Sequence, residues 1–326
     1  MKLERDKLSE IDIYLADPNE QVRDSLRSIM RAEGLRRIST FGRAEDLMEA
    51  LKKSPPDLLI LSDDFEDREG KDKEKEAKER DLVFTMVRDV RHFRLGVNPF
   101  VLITMLIAQE NDVGIKKAVQ AGADDVMIKP LSAGRLLERI AHLATNRLPF
   151  IATTDYVGPE RRRGADRPSS IPRLDVVNTL KDKVEGKRPS TVQLTRAINQ
   201  SMREVLVAQL DSFHLKVAYC ANVIIKTWQE RDPTIDRGKQ FNMLVGVIEE
   251  AATHAKRLRR DALSEGWLGL IPRAREIEKS FSLTTGDVAG LHALPKQFEQ
   301  VKVSIPVEEA PKAAGADEAA ASGAAA

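Results

Sequence analysis

Polar side chains that could do chemistry stand where the apolar runs of this chain stop. Asp17 follows Ile11-Asp-Ile-Tyr-Leu-Ala16, Ser62-Asp63-Asp64 follows Leu58-Leu-Ile-Leu61, and Lys129 follows Val126-Met-Ile128. If these runs are strands of one parallel sheet, their carboxylates, hydroxyl and ammonium reach its C-terminal edge, where open α/β sheets gather their sites. Two readings compete there: a structural ion pair between Asp17 and Lys129, or a functional site. No nucleophile–base pair, metal-ligand cluster or phosphate-cradling glycine loop is visible, so enzymatic activity and nucleotide hydrolysis have no support. His214 and His254 lie in HLKVA and HAKRL, not in the H-x-x-K-G of phosphotransfer histidines, and read as helix-surface residues. Arg161-Arg162-Arg163 with Arg167 is diluted by Glu160 and Asp166, and reads as a solvated strap rather than a phosphate or nucleic-acid contact. Lys256-Arg-Leu-Arg-Arg260 reads as the outer face of a helix near its C-terminus, where the dipole favours cations.

Five β–α repeats position the first group of residues. Strand-like runs at 11–16, 38–41, 58–61, 100–108 and 126–128 alternate with helical patterns at 22–31, 44–52, 82–91, 113–121 and 133–144. Alternation of this kind predicts a doubly wound parallel α/β sheet. The charged stretch KDKEKEAKER, residues 71–80, cannot face a core and is a solvated insertion. Residues 149–173 are rich in proline and glycine and read as a linker or strap without regular structure.

The second half predicts helices. One apolar stripe runs from Leu194 through Phe213 and Val217 to Trp228, and ends at Asp232-Pro233. A second, from Phe241 to Ala262, has the 3,4 spacing of a coiled-coil seam. An antiparallel hairpin follows, with shorter helices over 273–281 and 287–300. The seam serves either intramolecular packing or a homodimer through residues 190–264. The expected division is 1–148, 149–173, 174–305 and a disordered tail at 306–326.

The chain has 326 residues, enough for two domains. Its 52 Lys+Arg and 51 Asp+Glu nearly cancel, which leaves no global attraction for nucleic acid or anionic lipid. The lone Cys220 excludes a disulfide framework and a cysteine-based zinc site. No apolar run approaches the roughly 20 residues of a membrane span, and no secretory signal is seen, so the expected location is cytoplasmic.

Several of these residues form a recognisable set. Asp17, Pro56-Asp57-Leu-Leu-Ile-Leu61, Gly70, Ala121-Gly-Ala-Asp-Asp125 and Lys129-Pro130 together resemble the CheY-like receiver domain of two-component response regulators. Residues 147–162, with their DYVGPERR core, are similar to a strap that follows atypical receivers in some alphaproteobacterial proteins. The resemblance implies a phosphoacceptor aspartate ending strand three, Mg²⁺ held by it and by acids after strand one, a conserved lysine, a hydroxyl ending strand four and an aromatic in strand five.

Residue by residue the match is mixed. Asp17 and Lys129 fit. Ser62 stands at the acceptor position, with Asp63 and Asp64 as alternatives. Pro18 stands beside Asp17 where a second acid is usual, and Val126 replaces the aromatic. The hydroxyl position falls on Thr104 by one count and on Ile107-Ala108 by another. No metal is expected, or Mg²⁺ through Asp17 only if the receiver is active. The resemblance therefore implies a degenerate receiver, not an enzyme, that binds a histidine kinase or other signalling protein. The alternatives are a phospho-accepting regulator with a helical output, and a DNA-binding transcriptional regulator, although nucleic-acid binding is not expected from the charge pattern.

Overall fold

A computed structural model of the chain describes residues 5–65, 81–108, 112–161, 171–230, 236–279 and 283–304. The 71–80 insertion, Gly70, Arg162, Arg163, Arg167 and the 306–326 tail lie outside them. The chain divides into two compact units, residues 1–209 and 210–326.

In the first unit, β1 (Asp12–Ala16), β2 (Arg37–Phe41), β3 (Leu58–Ser62), β4 (Leu102–Ile107) and β5 (Asp125–Ile128) form one parallel sheet in the order β2-β1-β3-β4-β5. The helices α1 (Arg5–Leu8), α2 (Glu20–Ala32), α3 (Ala44–Lys53), α4 (Leu82–Arg91), α5 (Asp112–Ala121) and α6 (Ala133–Thr145) accompany it. Every residue of β3 and β4 is buried, because helices cover both faces. Side-chain alternation sorts the core into two layers. Leu59, Leu61, Ile103 and Met105 pack with Leu47, Leu51, Val83 and Val87, while Leu58, Ile60, Leu102 and Leu106 pack with Leu26, Met30, Leu136 and Ile140. This is the α/β architecture that the repeats predicted.

The strap corrects the expectation of irregular chain. Its β6 (Phe150–Ala152) and β7 (Val157–Pro159) pair antiparallel. Local pairing satisfies the backbone of a short segment that is buried against the receiver. Gly122, at φ +95°, makes the close approach possible: a Cβ there would lie 2.5 Å from the Val157 carbonyl oxygen. Gly158 meets it from the other side, where a Cβ would lie 2.8 Å from the Gly122 Cα.

A buried carboxylate fixes this junction. Asp124 accepts from Arg91 Nη2 at 2.7 Å, from the Ile103 N–H at 2.8 Å and from Arg147 Nε at 2.8 Å. Arg91 is fully buried and also donates to the carbonyls of Pro99, Val101 and Gly122. Burial pulls its pKa down to about 10, even with Asp124 beside it, so it stays charged at neutral pH. Arg161 donates to the carbonyls of Ala123 and Asp124, each at 2.8 Å. Further on, α7 (Thr179–Val184) sets Lys183 between Asp12, at 2.5 Å, and Asp57, at 2.6 Å. The helix α8 (Thr191–Glu230) then adds Val205 and Ala208 to a cluster with Phe100 and Phe150.

The second unit holds the remainder of α8 with α9 (Arg237–Arg257), α10 (Asp261–Leu268), α11 (Ile271–Glu278) and α12 (Thr285–Ser304). Trp228 meets Phe241 at 6.4 Å and Phe213 meets His254 at 5.4 Å, so α8 and α9 run antiparallel as expected. The seam is shorter than predicted and takes the intramolecular of its two predicted roles. It is broken, because α9 ends at Arg257 and Arg259 turns into the left-handed region at φ +58°. It also faces inward: Phe241, Leu244, Ile248, Ala251 and Ala255 are all 0% exposed, which leaves it no surface for a second chain. His254 is buried rather than on the surface, with Nδ1 2.7 Å from the Glu250 carbonyl. Trp267 stacks on Phe298 at 4.4 Å and donates to its carbonyl at 3.0 Å.

Replacing Asp124 with Ala leaves two buried guanidinium groups without their counter-charge. It should cost about 3–5 kcal/mol, read from urea unfolding of the full chain. A loss under about 1 kcal/mol would mean that the junction does not depend on this carboxylate.

Candidate functional site

Three strand ends deliver the site. After β1, the Asp17 N–H continues the ladder to the Phe41 carbonyl at 3.2 Å, and its Oδ1 accepts from the Asn19 N–H at 2.8 Å. Asn19 in turn caps α2, accepting from the Gln21 N–H at 3.0 Å. Arg23, one turn into that helix, donates to the carbonyls of Asp17 and Pro18 at 2.7 and 3.0 Å. After β5, the Lys129 N–H bonds the Ile107 carbonyl at 2.9 Å, which fixes where its side chain starts. After β3, the chain turns at Ser62, whose Oγ accepts from the Asp64 N–H at 3.1 Å.

The Lys129 ammonium sits where these ends meet. It donates to Asp17 Oδ2 at 2.8 Å, Ser62 Oγ at 2.7 Å and Asp64 Oδ2 at 2.6 Å. An ammonium has three donors, so all three are used. Asp17 and Ser62 are both 0% exposed, whereas the Asp64 side chain is about half exposed. Burial pulls the Lys129 pKa down, but hydrogen bonds and charge from Asp17 and Asp64 more than reverse this and leave it raised. Lys129 is therefore a firmly held cation, not a nucleophile or base. Ser62 is enclosed, and its hydroxyl accepts from the Lys129 ammonium.

The sequence candidates separate cleanly. Asp17, Ser62, Asp64 and Lys129 come together. Asp63 turns toward β4: its N–H donates to the Leu106 carbonyl at 3.0 Å and its Oδ1 accepts from the Ala108 N–H at 3.2 Å. Thr104 stands apart from the cluster. It pairs with Ile60 and Asp125 inside the sheet, two positions before the residue opposite Ser62, and is buried. Ile107 and Ala108 occupy the edge instead, so the position that adjoins Lys129 carries no hydroxyl. Val126 pairs with Met105 and is half-buried. Asn19 and Arg23 were missed. The Asp-Pro-Asn sequence before a helix was their signal, since Asn is a preferred N-cap.

Receivers hold Mg²⁺ at this edge, and these residues do not fit it. Asp17 and Asp64 are the acids that converge on Lys129, Asp63 turns away to β4, and Pro18 brings no side-chain oxygen where a second acid would follow β1. Among the described residues no group of three or more acidic, His or Cys side chains could hold a metal ion. Beside Lys129 lies a cavity of about 480 Å³, lined by Val22, Leu26, Ile29, Leu106, Ala108 and Leu131.

Residues 13–141 match the family model of the response regulator receiver domain. This part of the chain is a receiver domain. The chain is 27% identical over 132 residues to the transcriptional regulatory protein GltR of Pseudomonas aeruginosa, covering 40% of this chain and 48% of that one. It is 25% identical over 126 residues to the transcriptional regulatory protein AfsQ1 of Streptomyces coelicolor, covering 39% and 47%. It thus spans about half the length of the curated relatives it matches. Among solved structures, the response regulator DrrB of Thermotoga maritima aligns over 41% of this chain and 52% of its own, at 19% identity and a TM-score of 0.31. No described helix is long and apolar enough to cross a membrane.

Removing the receiver's Lys129 leaves Asp17 buried beside Ser62. Lys129→Met should destabilise the protein by about 2–4 kcal/mol. The folded pKa of Lys129 is raised, so its stabilisation is complete below the unfolded value of about 10.4 and is lost as pH rises through the higher folded value. The stability gap between wild type and variant should stay level from about pH 7 to pH 10 and shrink only above that. A gap that closes near neutrality would contradict the ion-pair cluster.

Proposed function

We propose that this chain is a response-regulator-like signalling protein whose receiver is degenerate. It works in the cytoplasm through protein–protein binding within phosphorelay signalling, not through an aspartyl phosphate. The observation that carries this reading is the neutral, enclosed Ser62 at the end of β3, held with Asp17 by the Lys129 ammonium. A hydroxyl cannot form the high-energy acyl phosphate that a carboxylate forms, and the converging acids are already committed to a cation. The partner is a histidine kinase or another signalling protein, and the apolar cavity beside Lys129 supports a docking role for that face. In this reading the surface of the receiver (1–148), with its strap (149–173), binds the partner, and the helical region (174–305) sets the oligomeric state.

One observation favours a second reading. Asp64, rather than Asp63, reaches Lys129, so it is the carboxylate that a phospho-accepting receiver would use. A third follows from the printed names of the two relatives, which are transcriptional regulatory proteins. Its signature would be retention on duplex DNA that weakens steeply with salt.

Incubation of the full chain with radiolabelled acetyl phosphate and Mg²⁺ separates the first two. The degenerate reading expects no hydroxylamine-labile label. Label that vanishes in Asp64→Asn but survives in Ser62→Ala would replace it with the second.

A further inference from the structure

While the seam of α9 faces inward, the outer face of α8 carries large apolar side chains to the surface of the second unit. Leu215 and Tyr219 are 63% and 58% exposed there. Asp211, Leu215, Tyr219, Asn222 and Lys226 are all exposed and recur with 4,4,3,4 spacing, which places them on one face of the helix. The stripe begins at Asp211 and ends at Lys226, about 22 Å apart at 1.5 Å per residue. Its middle is apolar and aromatic, and its two ends carry opposite charges.

We propose that two copies of the chain pair through this face, antiparallel, about a twofold axis beside Tyr219. Charge decides the direction. In a parallel pair Asp211 meets Asp211 and Lys226 meets Lys226, so both ends repel. In the antiparallel pair Asp211 faces Lys226 of the partner subunit, and the relation repeats at the other end. The same axis brings Tyr219 against Tyr219 of the partner subunit, an aromatic pair at the centre of the contact. It also sets Leu215 against Asn222 of the partner subunit. Helical side chains lean toward the helix N-terminus, so each Tyr219 hydroxyl is carried toward Asn222 of the partner subunit, whose amide can bond it. The rings are thus buried while their hydroxyls keep a polar neighbour. The contact is isologous, so it closes at two copies rather than growing into a filament. Lys302 of α12 already bonds Asp211, and a half-exposed carboxylate has oxygen acceptors to share with a second cation. Lys216, one residue along from Leu215, lies off the stripe.

Sedimentation velocity of the full chain over a concentration series tests the pairing. A monomer–dimer equilibrium is expected, and Leu215→Glu with Tyr219→Glu should weaken it about thirtyfold or more, the loss of a central apolar anchor. Lys226→Asp should weaken it on its own, and the double variant Asp211→Lys/Lys226→Asp should restore it, because the swapped charges meet again. These residues are exposed, so unchanged far-UV circular dichroism distinguishes lost pairing from unfolding. A chain that stays monomeric throughout, or a dimer indifferent to the glutamates, overturns the proposal. A double variant that pairs no better than Lys226→Asp overturns the antiparallel register.

Discussion

One ammonium ion organises the receiver edge. The three donors of Lys129 are divided among Asp17, Ser62 and Asp64, which lie at the ends of two other strands. The buried Asp17 carboxylate is compatible with its surroundings because this cation lies beside it. The enclosed Ser62 hydroxyl has a donor to accept from for the same reason. The pocket therefore supplies a cation of its own, where a phosphate switch would draw on an external cation and an incoming phosphoryl group.

The opposite edge of the sheet is stabilised by a different arrangement of the same physics. There a carboxylate, Asp124, is the centre, and Arg91 and Arg147 surround it. Burying such a pair contributes little net stability, but separating its members costs much more. The strap is held through that asymmetry, and through the bare backbones of Gly122 and Gly158, which let two segments touch. The Ala121-Gly-Ala-Asp-Asp125 motif thus serves the strap as well as the sheet. Its glycine gives the approach and its first aspartate gives the anchor.

The elements were largely legible, because burial leaves a periodic signature. The α4 limits read from apolar spacing, Leu82 to Arg91, are the observed ones. What escaped was whatever depends on partners distant in sequence. Arg91 appears in the sequence only as the end of the 82–91 helical run, and the fold shows it fully buried. The strands β6 and β7 are three residues each, too short for periodicity. The break in the Phe241–Ala262 stripe lies in one backbone angle, at Arg259, to which side-chain spacing is blind. Asp17, Ser62 and Lys129 were legible as a site because each ends an apolar run. Asp63 and Asp64 were not separable, since the turn after Ser62, rather than strand alternation, decides which carboxylate reaches the lysine.

A magnesium titration of the full chain, followed through the backbone amide resonances of Asp17, Ser62, Asp64 and Lys129, tests the central claim most directly. The account predicts that these signals stay in place through millimolar Mg²⁺, because too few acidic side chains converge beside the ammonium to hold a metal. A saturable shift of the four signals that disappears in Asp64→Asn would contradict it.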